Sequence, residues 1–215
     1  MKRICISFLL LGIICFSAFA FNPDDLNLIY FENSTGSTIE FIFLSPGDSE
    51  YWGPEILGSE RILANGDILG FYILYPNACD EFDIMAIDED EQTLIIYNYE
   101  ICDTDEGYIE ILPEYLTEEA PSMNFVEIHI RNETILVYYI FISPSDSEMW
   151  GVDYLDETTI LDTEDSLSLV FPVGDEPTEY DLKAIDEDGD AYQFSFDVDS
   201  DSDDMVFSIE ISDLQ

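Results

Sequence analysis

The segment SPGDSEYWG, from Ser45 to Gly53, returns as SPSDSEMWG from Ser143 to Gly151, and EFDIMAIDED, from Glu81 to Asp90, returns as EYDLKAIDED from Glu179 to Asp188. Both blocks repeat at an offset of ninety-eight positions. Two separated blocks hold one register only if the strands and loops between them are duplicated too, so the repeat is a folding unit and the chain carries two of them.

Residues 1–20 lie outside the repeat. Lys2 and Arg3 precede a mostly apolar run from Ile4 to Phe16, and Ala18 and Ala20 form a small-x-small end. This is the pattern of a secretory signal peptide cleaved before Phe21. Ile14 stands where a lipoprotein signal carries a small residue before its cysteine, so lipidation at Cys15 is not expected. No later stretch approaches membrane-spanning length. After Ala20, only Arg61, Arg131 and Lys183 oppose 49 acidic side chains. Such a field repels phosphate backbones and anionic lipid, which excludes nucleic acid and favours cations, basic proteins or high-salt surroundings. Disorder is not expected, because 47% hydrophobic residues provide enough apolar surface to offset the entropy of ordering.

With the signal removed, two cysteines remain. Cys79 precedes a strand starting near Phe82, Cys102 follows one ending near Ile101, and the turn Asp88 to Glu91 lies between. Antiparallel pairing across that turn sets the two thiols almost opposite each other. The second copy has Pro177 and Ser200 at these places, so both cysteines are absent there together. A Cys79–Cys102 disulfide in an oxidising compartment follows. Two free thiols or a metal pair is the rival reading, and it lacks the further ligands of a zinc site.

Each copy reads as six short strands. Val126, Ile128 and Ile130 alternate with Glu127, His129 and Arg131, and the same period of two recurs from Leu167 to Phe171, Tyr192 to Phe196 and Phe207 to Ile211. Ile39 to Leu44 and Leu94 to Tyr97 are apolar on both faces, which predicts cover from both sides, for instance by the other copy. Ser45 or Ser143, Pro46 or Pro144, and Asp48 or Asp146 have the spacing of a helix start, with Gly53 or Gly151 as the stop. The expected fold is all-β, two tandem antiparallel β-sandwich repeats of Ig-like or C2-like architecture with one short helix each. The expected boundaries are a signal peptide at 1–20, repeat one at 21–112, an acidic proline-flanked linker at 113–121 and repeat two at 122–215. Asn33 and Asn132 are formal glycosylation sequons at the first turn of each copy.

The acidic turns are the one constellation suited to ligand chemistry. Asp88 and Asp90 in copy one match Asp186 and Asp188 in copy two. Up-and-down strand counting brings Asp48 and Glu50, or Asp146 and Glu148, to the same end, where converging carboxylates would hold a weak calcium. Against this, Ala184 stands where an EF-hand loop has its first acid, and an Asp in a turn also satisfies its own backbone amides. A second acidic turn, at Asp103, Asp105 and Glu106 and again at Asp201, Asp203 and Asp204, should lie at the opposite end. Trp52 and Trp150 read as plugs closing a sandwich end, or as platforms for a sugar ligand. The lone His129 is confined to one copy and has no recognisable nucleophile turn, so a serine triad is not expected.

The frame SPxDSExWG followed by YDLxAIDEDG resembles that of uncharacterised exported bacterial repeat proteins. The resemblance spans most of each copy and implies export, but no activity, partner or site residue. Copy one departs from it at Phe82, against Tyr180, and at Glu91, against Gly189. The expected function is that of an exported, non-enzymatic binding or structural module, periplasmic or extracellular, acting on an envelope protein or glycan without a required cofactor. The alternatives are a calcium-stabilised surface-layer or adhesion component and, third, a carbohydrate-active enzyme.

Overall fold

The computed structural model describes residues 21–58, 61–74, 79–102, 107–118, 121, 123–134, 136–155 and 159–215. The signal segment 1–20 and the turn bearing Asp103, Asp105 and Glu106 lie outside them.

The fold is all-β. Copy one contributes β1 (Asn27–Asn33), β2 (Ile39–Pro46), β3 (Ile68–Leu74), β4 (Cys79–Asp88), β5 (Thr93–Cys102) and β6 (Tyr108–Ile111), followed by the two-residue β7 (Leu116–Thr117). Copy two contributes β8 (Asn124–Asn132), β9 (Val137–Pro144), the two-residue β10 (Gly151–Val152), β11 (Ser166–Val173), β12 (Thr178–Asp186), β13 (Ala191–Val198) and β14 (Met205–Ile209). In copy one, β1 pairs antiparallel with β3 and parallel with β6, while β2, β4 and β5 form an antiparallel sheet. Copy two repeats this, with β8 between β11 and β14 and with β12 between β9 and β13. Each copy is therefore a pair of sheets whose alternating apolar residues meet between them, with Phe31, Ile42 and Phe82 in one core and Ile130, Phe171 and Leu182 in the other.

Cys79 and Cys102 are direct partners in the β4–β5 register and form the expected disulfide. The expected short helix does not form. Pro46 and Pro144 end strands paired with Phe82 and Tyr180, and the next amides, Gly47 N and Ser145 N, donate to Glu81 O and Glu179 O. The chain is thus still extended where a helix would have to start. Ser45 Oγ closes the loop by donating to Tyr51 O at 2.6 Å and accepting from Gly53 N at 2.7 Å. Among the described residues the helical elements are three short 3-10 turns, Pro23–Asp25, Pro113–Tyr115 and Ile211–Asp213.

The first residues of the expected linker, Pro113 to Thr117, carry a 3-10 turn and the short β7. After the Pro113–Tyr115 turn, Leu116 pairs with Leu94 on β5; in copy two Leu214 follows the Ile211–Asp213 turn and bridges to Tyr192 on β13. The sequon asparagines are wholly buried, their Nδ2 groups donating to Leu63 O and Leu161 O, and their Oδ1 atoms accepting from Thr35 and Thr134. Asn-x-Thr here locks a turn.

The two copies exchange segments. β10, from copy two, joins the edge of β3, with Gly151 opposite Leu74 and Val152 opposite Ile73, and Met149 and Val152 are buried in copy one's core. Asp153 N donates to Tyr72 O at 2.8 Å, and at the equivalent positions Glu55 N donates to Val170 O at 2.8 Å. On the outer sheet faces, Phe125 of copy two stacks on Phe41 and Phe43, and Phe21 of copy one packs on Tyr139 and Phe141. The two-sided apolar character of Ile39 to Leu44 is thereby explained, since the inner face meets its own core and the outer face meets the other copy.

Candidate binding cleft between the copies

After the Trp-Gly end of each loop the chain turns back along its own β2 or β9 and buries one acid, Glu55 or Asp153, at equivalent positions. Glu55 is 2% exposed and accepts from Ile42 N at 3.2 Å, Leu57 N at 2.6 Å and Gly58 N at 2.7 Å. Asp153 Oδ1 accepts from Ile140 N at 2.9 Å and Leu155 N at 3.1 Å. These carboxylates replace the ladder partners that the chain reversal removes. Burial pushes the Glu55 carboxyl up to about 7, against the pull of its three amide donors and the nearby Arg61.

The reversal places Arg61 and Tyr154 where the copies meet. Tyr154 packs against both cores, donates to Pro54 O at 3.2 Å, and has its hydroxyl pKa held well above the ordinary range by burial. Arg61 Nε donates to Leu57 O at 2.5 Å, Nη2 lies 3.5 Å from Ile56 O, and the guanidinium sits 5.7 Å from the Phe71 ring centre. Both residues line two clefts. One, of about 390 Å³, is formed by Leu28, Tyr30, Gly70 and Tyr72 of β1 and β3 facing Asp153. The other, of about 410 Å³, is its counterpart on β11, with Ser166 and Ser168 facing Leu57 and Gly58.

The acidic turns are not part of this site. Asp88 and Asp186 are buried and cap their own turns: Asp88 Oδ1 accepts from Asp90 N and Gln92 N, and Asp186 Oδ1 accepts from Asp188 N and Asp190 N while Oδ2 accepts from Tyr192 Oη. Asp90 and Asp188 are exposed. Asp48 does not approach Asp88. Because β2 runs antiparallel beside β4, Ile39 sits opposite Asp88 and Pro46 opposite Phe82, which puts the two acidic segments at opposite ends of the sheet. Up-and-down counting fails because β3 lies in the other sheet. In copy two, Asp203 Oδ1 and the Asp204 amide tie the second acidic turn to Glu127 on β8.

The tryptophans do not plug a sandwich end. Trp52 packs on the outer face of copy one's β2–β4–β5 sheet with Phe43, Met85 and Ile95, and the Lys183 ammonium, with its pKa lowered by burial, lies 5.5 Å from the Trp150 ring centre. His129 Nδ1 lies 2.8 Å from Ser168 Oγ, but Asp204 is 84% exposed and 3.7 Å from Nε2, beyond hydrogen-bond length. Copy one has Tyr30 and Gly70 at these places, so no Ser-His-Asp set is shared by the copies.

Glu55, Asp153, Arg61 and Tyr154 escaped the sequence reading. A signal did exist: Glu55 and Asp153 are acids at one offset, each flanked by apolar residues in both copies. No protein-family model and no curated protein matches the chain.

Proposed function

We propose that the chain is an exported, non-catalytic binding module of the cell envelope, with the clefts between its two copies as the ligand-binding element. The observation that carries this reading is the reciprocal exchange of segments, which sets Arg61 and Tyr154 into two concave sites at the junction. The basic-apolar-small N-terminus and the Cys79–Cys102 bond support export to an oxidising periplasm or exterior.

The test is thermal stabilisation of the chain beginning at Phe21 by envelope glycan fragments and envelope proteins, with fractionation of cells expressing the full sequence. Ligand-dependent stabilisation that weakens in Arg61→Gln is expected. Retention in the cytoplasm, or the absence of any stabilising partner, would contradict the reading.

A further inference from the structure

We infer that the cleft over β1 and β3 takes a small monocarboxylate with an aromatic ring, its carboxylate on Arg61 and its ring over Tyr30 and Gly70. This inference rests on the binding-module reading and names the ligand class of one of its clefts.

The cation is the first argument. Arg61 is one of three basic side chains after the signal segment, yet among the described residues it has no acidic partner within ion-pair distance. Nε and Nη2 are turned to the Leu57 and Ile56 carbonyls, which leaves Nη1 as the donor available to the cleft. In a chain of formal charge −44, an arginine whose hydrogen bonds go to carbonyl oxygens, and which meets the buried Glu55 only through the field and not by contact, still has Nη1 to offer a ligand.

The floor is the second. A Cβ at Gly70 would stand 3.1 Å from Tyr30 Cε1 and 3.3 Å from Leu28 Cδ1, so glycine lets the Tyr30 ring and Leu28 lie close over the strand, where a larger residue would push them back by a few tenths of an ångström. Tyr72 adds a second ring, and about 390 Å³ accommodates one small ring compound. Copy two has Ser168 for Gly70 and Thr159 for Arg61, so the counterpart cleft has neither the floor nor its own cation.

Asp153 is the third. It lines the same cleft, with one oxygen held by the Ile140 and Leu155 amides. One guanidinium beside this acid-bearing wall, in a chain of formal charge −44, pairs with one negative group and not two, which selects a single carboxylate over a dicarboxylate or a phosphate. Arg61 sees the ligand at contact distance, whereas the surrounding acids act over lengths that salt screens, with a Debye length of about 8 Å at physiological ionic strength. Binding of this anion therefore tightens as salt is added, the reverse of an ordinary surface ion pair.

The experiment is titration of the chain beginning at Phe21 with phenylacetate, followed by protein NMR at low and physiological sodium chloride, with 2-phenylethanol as the uncharged probe. Saturable one-site binding in the millimolar range is expected, tighter at the higher salt and at least about tenfold weaker for 2-phenylethanol. Arg61→Gln should lose about tenfold or more. Gly70→Ser, which installs copy two's residue and leaves Arg61 in place, should weaken phenylacetate while the chain still melts in one transition. Binding that is absent, or that Arg61→Gln leaves unchanged in a folded chain, overturns the inference, as does binding that weakens with salt. If phenylacetate fails while glycans or envelope proteins still stabilise the chain, the ligand class is wrong and the binding-module reading stands; if nothing binds, both fall.

Discussion

Asp48 of copy one accepts a hydrogen bond from Ser147 of copy two at 2.7 Å, and Asp146 of copy two accepts one from Ser49 of copy one at the same distance. Each copy thus spends the acid that looked like a helix cap on the loop of the other. These contacts are exposed and individually weak. What they mark is the pseudo-twofold relationship that also buries Val152 and Met149 in copy one's core and stacks Phe125 and Phe21 across the outer sheet faces.

Two inter-copy bonds from tyrosine hydroxyls have no counterpart: Tyr154 to Pro54 O, where copy one has Ile56, and a second from Tyr180. Tyr180 Oη donates to Trp52 O at 2.9 Å, whereas copy one has Phe82 at the matching place. Tyr180→Phe keeps a ring known to fit this environment and leaves a carbonyl without its donor. Urea unfolding should show a loss of about 1 to 2 kcal/mol, and Phe82→Tyr should not restore it.

The differences between copies also identify strained positions. Glu91 has φ 60° where copy two has Gly189 at φ 82°, and Glu164 has φ 72° where copy one has Gly66 at φ 87°. Each copy thus shows which residue suits the other's left-handed turn. Glu91→Gly and Glu164→Gly should each raise stability by about 0.5 to 1 kcal/mol, additively because the turns share no partner. A loss in either variant would show that the glutamate side chain, not the backbone, sets the turn.

Glu55 ties stability to pH. Its carboxyl is raised from 4.5 to about 7 in the folded chain, so as pH rises the unfolded chain releases this proton first. Its contribution is fully present below pH 4.5, falls between 4.5 and 7, and is flat above 7. The surface carboxylates add a slope of their own, common to the wild type and Glu55→Gln. The stability difference between these two should therefore shift by up to about 3 kcal/mol across that window and stay constant above it. A difference independent of pH would mean that the amide donors hold Glu55 ionised throughout.

The Cys79–Cys102 bond closes a loop with a sequence separation of 23. Replacing both cysteines with serine should cost about 3 kcal/mol, measured by denaturant unfolding under oxidising conditions. Copy two reaches the same β12–β13 pairing without such a bond, so the fold should survive.

The strands, their inward faces and the disulfide were legible because period-two alternation and antiparallel register are local properties. Val126, Ile128 and Ile130 are buried as their alternation implies, and Cys79 faces Cys102 as the hairpin requires. The loop at Ser45 was misread because a helix cap and a loop closed by a serine hydroxyl use the same short polar residues, and only the pairing of Pro46 with Phe82 decides between them. The cleft was not legible for a different reason. Arg61, Tyr30 and Asp153 come together through β10 joining β3, a contact between copies that no local pattern encodes. The burial of Glu55 and Asp153 at one offset was the trace it left in the sequence.

The exchanged segments join the two copies across β10 and β3, so the copies should unfold as one cooperative body. Differential scanning calorimetry of the chain beginning at Phe21 distinguishes one cooperative unit from two. A single transition is expected, with calorimetric and van't Hoff enthalpies in agreement. Two resolved transitions, or a van't Hoff enthalpy near half the calorimetric value, would contradict it.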